Sequence, residues 1–272
     1  MGGISKKLPS SVLINVFLFF LFNHLKSFLM KYYLITFCLL CCTVDLFAQT
    51  RSLGNFSEVS TQQSIDVIIN KGDENSAKII ARGIDQSEVI TRISGGKLKI
   101  ELEDNNYRNI DVQVIVTFNG TLEGLYASSS GSISVEDPIV NNTFFSLDVS
   151  SSGEIVFENV KSPKVDMEAS SSGNIEGKIE TKRLTARASS SGELEIKGKS
   201  MESEIKASSS GEFDGYYFQT VEAEVSVSSG GSVELEVLEE IKARASSGGS
   251  IRYSGDPKMV DSSTSSGGSI RG

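Results

Sequence analysis

Eight glycines divide the second half of this chain into near-equal lengths. Gly131, Gly153, Gly173, Gly192, Gly211, Gly231, Gly249 and Gly268 follow one another at intervals of 22, 20, 19, 19, 20, 18 and 19 residues. Two positions after each glycine stands a large apolar residue: Ile133, Ile155, Ile175, Leu194, Phe213, Val233, Ile251 and Ile270. Four positions before it stands a small or β-branched one: Ala127, Val149, Ala169, Ala188, Ala207, Val227, Ala245 and Thr264. The two intervening columns, three and two positions before the glycine, are serine in all eight units, from Ser128–Ser129 to Ser265–Ser266. A repeat this regular restricts the chain to architectures that stack one unit on the next.

Within a unit, apolar and polar residues alternate, as in Phe145-Ser146-Leu147-Asp148-Val149 and Ala223-Glu224-Val225-Ser226-Val227. That is the period of a strand with one buried face. About 19 residues are too few for a propeller blade or a βαβ crossover, but they suit one coil of a parallel β-helix. The fold class expected is therefore all-β: a right-handed parallel β-helix (β-solenoid) over residues 122–272. Equivalent residues should lie about 4.8 Å apart along the axis, so the Ile/Leu/Phe column fills the interior. The glycine column is expected at a corner that needs positive φ or close backbone approach. Alternation from the alanine column places the serine two before the glycine inward and the serine three before it outward.

Residues 49–121 lack the serine–glycine unit but are also β-patterned. Candidate strands are 65–69, 77–80, 89–93, 97–102 and 112–118, with turn signals at Asn70–Asp73 and a tight hairpin at Ser94-Gly95-Gly96. They read as an antiparallel meander that forms a β-rich N-terminal cap region on the first coil. Residues 1–48 belong to neither part. From Met30, a short cationic start leads into an apolar stretch ending at Leu46-Phe47-Ala48. This predicts a secretory signal peptide beginning at Met30 and cleaved after Ala48. The alternative is a two-segment membrane anchor that also uses Val12–Phe22, although each apolar run is shorter than the roughly 20 residues a spanning helix needs.

Composition then removes whole classes of chemistry. All three cysteines (Cys38, Cys41, Cys42) and the one histidine (His24) precede the expected cleavage site. The exported chain would have no thiol nucleophile, no imidazole base and no disulfide. The formal charge of −9 becomes more negative once the four lysines and one aspartate of residues 1–48 are lost. Such a surface disfavours nucleic acid and anionic lipid, so neither nucleic-acid binding nor membrane insertion of the exported chain is expected.

With both halves read, the chain resembles the bacterial head GIN domain family of autotransporter adhesins from about Phe56 onward. The resemblance is carried by Phe56-Ser57-Glu58-Val59, by Gly96-Lys97-Leu98-Lys99-Ile100, and by the recurrent Ser-Ser-Gly-x-Ile units. Gly173-Asn174-Ile175 permutes the family's name motif. It implies an exported β-helical envelope protein, in the periplasm or at the cell surface. No membrane barrel segment follows the repeats, so self-translocation is not expected.

Two function classes remain open. The first is a non-catalytic adhesion or scaffold module that binds a glycan or an envelope protein through a solenoid face. Its candidate contacts are Tyr216 and Tyr217, in the cluster with Phe213 and Phe218, because exposed tyrosines stack on sugar rings. The second is a carbohydrate-active β-helix enzyme, a polysaccharide lyase or hydrolase, which needs two carboxylates about 5–10 Å apart. Glu154, Glu193 and Glu212, each one residue after a repeat glycine, meet that spacing, but nothing else is expected to converge on their column. No catalytic residue, cofactor or metal site is assigned. Asp104-Asn105-Asn106 and Asp137 lack the alternating acids of a calcium loop. Finally, the repeats stop at Ser269-Ile270-Arg271-Gly272, so the last coil is a candidate surface for self-association.

Overall fold

A computed structural model describes residues 49–103 and 107–272. The expected signal segment and Asp104–Asn106 lie outside the described residues. The repeat region is the expected β-solenoid, with about seven turns. Strands β12 (Glu154–Ala169), β13 (Asn174–Ser189), β14 (Glu193–Ser208), β15 (Glu212–Val227) and β16 (Ser232–Ala245) each make most of one coil. They pair in parallel, each with the next. The shorter β8 (Gly124–Ala127), β9 (Ser132–Val135), β10 (Ile139–Val140) and β11 (Phe145–Val149) build the coils before them. The shorter β17 (Ser250–Ser254), β18 (Met259–Thr264) and β19 (Ser269–Arg271) build those after.

The register stacks Ile133, Ile155, Ile175, Leu194, Phe213, Val233 and Ile251 directly on one another. All are at most 1% exposed. Each such side chain contributes roughly 1.5–3 kcal/mol by leaving water.

The corner that carries the serines differs from the sequence expectation. Ser129 and Ser130 have φ of 50° and 61°, and the Gly131 N–H donates to the Ser128 carbonyl at 2.9 Å. Two left-handed central residues closed by this bond have the φ signs of a type I′ turn. The same pair of positive φ values recurs at Ser151–Ser152, Ser171–Ser172, Ser190–Ser191 and Ser209–Ser210, then at Ser229–Gly230, Ser247–Gly248 and Ser266–Gly267. Positive φ thus falls on the serines and not on the glycine column.

The column glycines serve the other purpose expected of them, close approach. A Cβ on Gly153 would lie 2.5 Å from the Ala127 carbonyl oxygen, and one on Gly192 would lie 2.3 Å from that of Ala169. The alanine column marks where each coil's corner presses on the one before it. Because the turn breaks strand alternation, the serine two before each glycine is exposed. The serine three before it is half-buried in all units but the last. Both orientations are the reverse of those expected from alternation. N–H groups of the turns donate to carbonyls of the next coil, as in Ser152 to Ser171 at 3.0 Å and Ser191 to Ser209 at 3.1 Å.

A second inner ladder, not foreseen from the repeat, lines the opposite corner with Asn141, Ser162, Thr181, Ser200 and Thr220. The Asn141 amide donates to the Leu122 carbonyl at 2.9 Å and its oxygen accepts from the Thr143 and Phe144 N–H groups. Ser162, Thr181 and Thr220 hydroxyls each donate to the carbonyl two residues on, at 2.9–3.0 Å. Ser200 bonds both Ser203 and Thr220, at 2.6 and 2.7 Å. These small hydroxyls satisfy the carbonyls that a sharp bend turns inward.

The N-terminal strands fall where the pattern placed them: β3 (Ile65–Lys71), β4 (Ser76–Arg82), β5 (Val89–Ser94), β6 (Lys97–Leu102) and β7 (Asp111–Phe118). Two more, β1 (Gln49–Ser52) and β2 (Glu58–Thr61), precede them. The β5–β6 hairpin turns through Gly95 and Gly96 at φ 60° and 82°, as expected. The antiparallel meander is present only at the end of the stack, formed by β5 on β6, β4 on β7 and β1 on β4.

Strands β2 and β3 are instead a coil of the solenoid. They pair in parallel with β8 and β9 on one side and with β6 and β7 on the other. Thr61 stands in the alanine column and Val67 in the isoleucine column. Gln63 and Ser64 repeat the left-handed turn at φ 61° and 57°. Ile65 stands in the glycine column, opposite Gly131. Parallel pairing therefore crosses residue 121 without a break.

Candidate functional site

Most coils keep the strand period, and the register slip in the middle of β15 carries two of the exposed apolar side chains, Tyr216 and Tyr217. The interval from Gly211 to Gly231 is 20 residues and the next is 18. Between the pairs Glu195–Asp214 and Gly198–Phe218, β15 supplies Gly215, Tyr216 and Tyr217 against only Ile196 and Lys197 of β14. On its other side, residues 215–218 face Leu235 alone, between the pairs Asp214–Glu234 and Gln219–Glu236. The surplus residues bulge outward. Such bulges re-aim side chains and recur beside functional sites.

The bulge is anchored from within. Phe213 and Phe218, both fully buried, meet edge to face with centroids 5.8 Å apart. Gly215 lies between them, where a Cβ would come within 2.5 Å of the Phe213 ring and 2.7 Å of the Glu234 carbonyl oxygen. Gly198, opposite Phe218, has φ +110° and no room for a side chain. Consequently Tyr216 and Tyr217 both point out, 64% and 70% exposed, although neighbours in a regular strand would face opposite ways. Their rings are 4.8 Å apart at 87°. The Tyr216 N–H donates to Asp214 Oδ1 at 3.1 Å, which ties the bulge's first residue to the strand.

Carboxylates flank this pair on one side. Glu212, Asp214 and Tyr216 alternate along the outer side of β15, beside Glu193, Glu195 and Lys197 of β14. Partial desolvation raises the Glu193 carboxyl above the ordinary range, helped by the charges of Glu212, Glu195 and Asp214. The expectation that nothing else converges on the Glu193–Glu212 column is therefore corrected. The column two residues on supplies further acids, because both columns face the same side. Lys197 lies 3.2 Å from Glu195 and 3.5 Å from Glu176, and these carboxylates hold its ammonium above its ordinary pKa. Glu234, on the following coil, is paired with Arg252 at 3.5 Å.

The remaining acid of the column, Glu154, is exposed. Asp137, the calcium candidate within the described residues, accepts the Lys71 N–H at 2.7 Å and so tethers two coils. Among the described residues, no group of three His, Cys, Asp or Glu is placed to hold a metal ion. A second acidic surface, a shallow groove of about 300 Å³, is lined by Glu202, Glu204, Glu222, Glu224 and Glu240, with Arg183 and Lys242 at its margins. Arg183 donates through both Nε and Nη2 to one Glu202 oxygen, Oε2, at 3.0 and 2.7 Å.

A family model described as "Putative auto-transporter adhesin, head GIN domain" matches residues 55–257. Among solved structures, the chain is similar to a putative adhesin from Parabacteroides distasonis, at 19% identity over 82% of this chain and 95% of that one, with a TM-score of 0.76. It is similar to a putative adhesin from Parabacteroides merdae at 17% identity over 82% and 94%, TM-score 0.75. A putative lipid binding protein from Parabacteroides distasonis is 24% identical over 83% and 96%, TM-score 0.69. At these identities the likeness speaks to the fold alone. No curated protein matches the chain.

Proposed function

The chain belongs to the head GIN domain family, and from that premise we propose that it is an exported, non-catalytic adhesion or scaffold module of the cell envelope. It acts by presenting a solenoid face to a glycan or protein partner, in the periplasm or at the cell surface, with Tyr216 and Tyr217 as the contact residues. The observation that carries this reading is the bulge itself. Two adjacent tyrosines are held in water by a register slip that two glycines and two buried phenylalanines maintain. A solenoid gains nothing in packing from exposed rings, whereas rings so held offer flat apolar faces at little ordering cost.

A glycan array probed with the purified protein, beside Tyr216→Ala/Tyr217→Ala, tests the reading. Binding that the double variant loses supports it; binding that the variant retains places the contact elsewhere on the solenoid.

The second reading is a carbohydrate-active β-helix enzyme using carboxylates, and the raised Glu193 with Glu212 beside it is what favours it. Its test is release of new reducing ends from oligosaccharides by the parent and not by Glu193→Gln. The lipid-binding description of one relative supports a third possibility only through the apolar groove of about 350 Å³ that includes Val140, Pro163 and Met201.

A further inference from the structure

The charge around Tyr216 and Tyr217 selects among ligands, and we propose that this patch takes a glycan bearing protonated amino groups and rejects uronic or sulfated ones. The inference rests on the reading of the patch as a glycan contact and adds the chemical class. Four carboxylates, Glu193, Glu195, Glu212 and Asp214, share the outer surface of β14 and β15 with Tyr216. Ionised, they accept hydrogen bonds and donate none, so they suit sugar hydroxyls and, more strongly, ammonium groups. One nearby cation, Lys197, is already held by Glu195 and Glu176. An anionic sugar docked on the rings would meet the like charge of four carboxylates, which outweighs the exposed Lys199 beside Gln219. The tyrosine faces add to the same preference, since the negative face of an aromatic ring attracts a cation.

The backbone argues for a glycan over an extended peptide. Strand β15 lies between β14 and β16, so even where the bulge interrupts pairing there is no open sheet edge to which a peptide strand could add. What it offers instead is a flat, ridged surface with coils about 4.8 Å apart, carrying acceptors in rows.

The test is titration of the full protein with three oligosaccharides of equal length: glucosamine oligomers, their N-acetylated counterparts and galacturonate oligomers, with poly-lysine as the polypeptide control. Glucosamine oligomers should bind about tenfold more tightly than the acetylated ones, and galacturonate should not bind. Glu212→Gln/Asp214→Asn should remove that preference, weakening binding of the glucosamine oligomer about tenfold more than that of the acetylated one, since an asparagine oxygen still accepts the Tyr216 N–H. Tyr216→Ala/Tyr217→Ala should abolish both. Galacturonate binding that depends on the tyrosines would overturn the charge selection and leave the glycan reading standing. Poly-lysine binding through the same residues, with no oligosaccharide bound, would overturn the glycan reading in favour of a cationic polypeptide. Oligosaccharide binding untouched by the tyrosine variant would overturn both.

Discussion

Gly211 packs against the peptide group of Ala188 one coil below it, so closely that a Cβ at Gly211 would lie 2.3 Å from both the carbonyl carbon and its oxygen. The obstacle is backbone on both sides, which cannot rotate away. Gly211→Ala should therefore cost about 3 kcal/mol or more. Gly248, one residue before a column glycine, has open space around it and φ +76°. Gly248→Ser should cost only about 1 kcal/mol, since serine occupies that turn position in six other coils. Denaturant midpoints of the two variants check the contrast, and equal losses would mean the corner is not where the coils press together.

The left-handed serines lead to a prediction of opposite sign. A non-glycine residue at positive φ is strained by roughly 1–2 kcal/mol. Ser190→Gly and Ser191→Gly should relieve that strain, offset by the added freedom of the unfolded chain, about 0.4–1 kcal/mol. The expected outcome is a change between neutrality and about 1 kcal/mol of stabilisation. A loss above about 1 kcal/mol in either variant would show that the hydroxyls themselves support the corner.

Ile175 and Glu193 test the strand register. Ile175 is fully buried, and Ile175→Asp should cost about 4 kcal/mol or more by losing apolar burial and placing an unpaired charge inside. Glu193 is exposed, and Glu193→Ser should change stability by under about 0.5 kcal/mol at neutral pH. Urea melts with similar losses for the two would contradict the inside–outside assignment.

Glu193 also sets a pH dependence. Partial desolvation and three neighbouring carboxylates raise its folded pKa above the unfolded value, so the folded chain holds the proton more tightly. The stability this contributes is present below the ordinary glutamate range and is lost as pH rises through the raised folded value. Glu193→Gln cannot lose that proton, so it should gain on the parent across that window and hold a constant advantage above it. Thermal melts from pH 3 to pH 8 measure this, and parallel profiles for parent and variant would rule out the coupling.

Export should remove residues up to Ala48 and leave Gln49 first. Intact-mass measurement on envelope material decides it, and a recovered chain that still carries residues 1–29 would contradict a start at Met30.

The repeat columns, the buried Ile/Leu/Phe ladder and every strand assigned between residues 65 and 118 were readable from the residues alone. Their physical cause is local: burial on one face imposes a period of two, and stacking imposes equal residues at equal intervals. The corner was read only in part. Alternation carried the serines across a turn in which alternation does not hold, and the left-handed pair at Ser129 and Ser130 depends on inter-coil hydrogen bonds that no single unit contains. The coil formed by β2 and β3 was hidden for the same reason, since Thr61 joins the alanine column only through pairing with β8. Tyr216 and Tyr217 were visible as an aromatic pair, and the 20-residue interval was visible as a number. Their shared exposure and their carboxylate surroundings were decided by the tertiary structure, because a bulge is a mismatch between neighbouring strands. Which residues it expels depends on what Gly198, Phe218 and Glu234 leave room for.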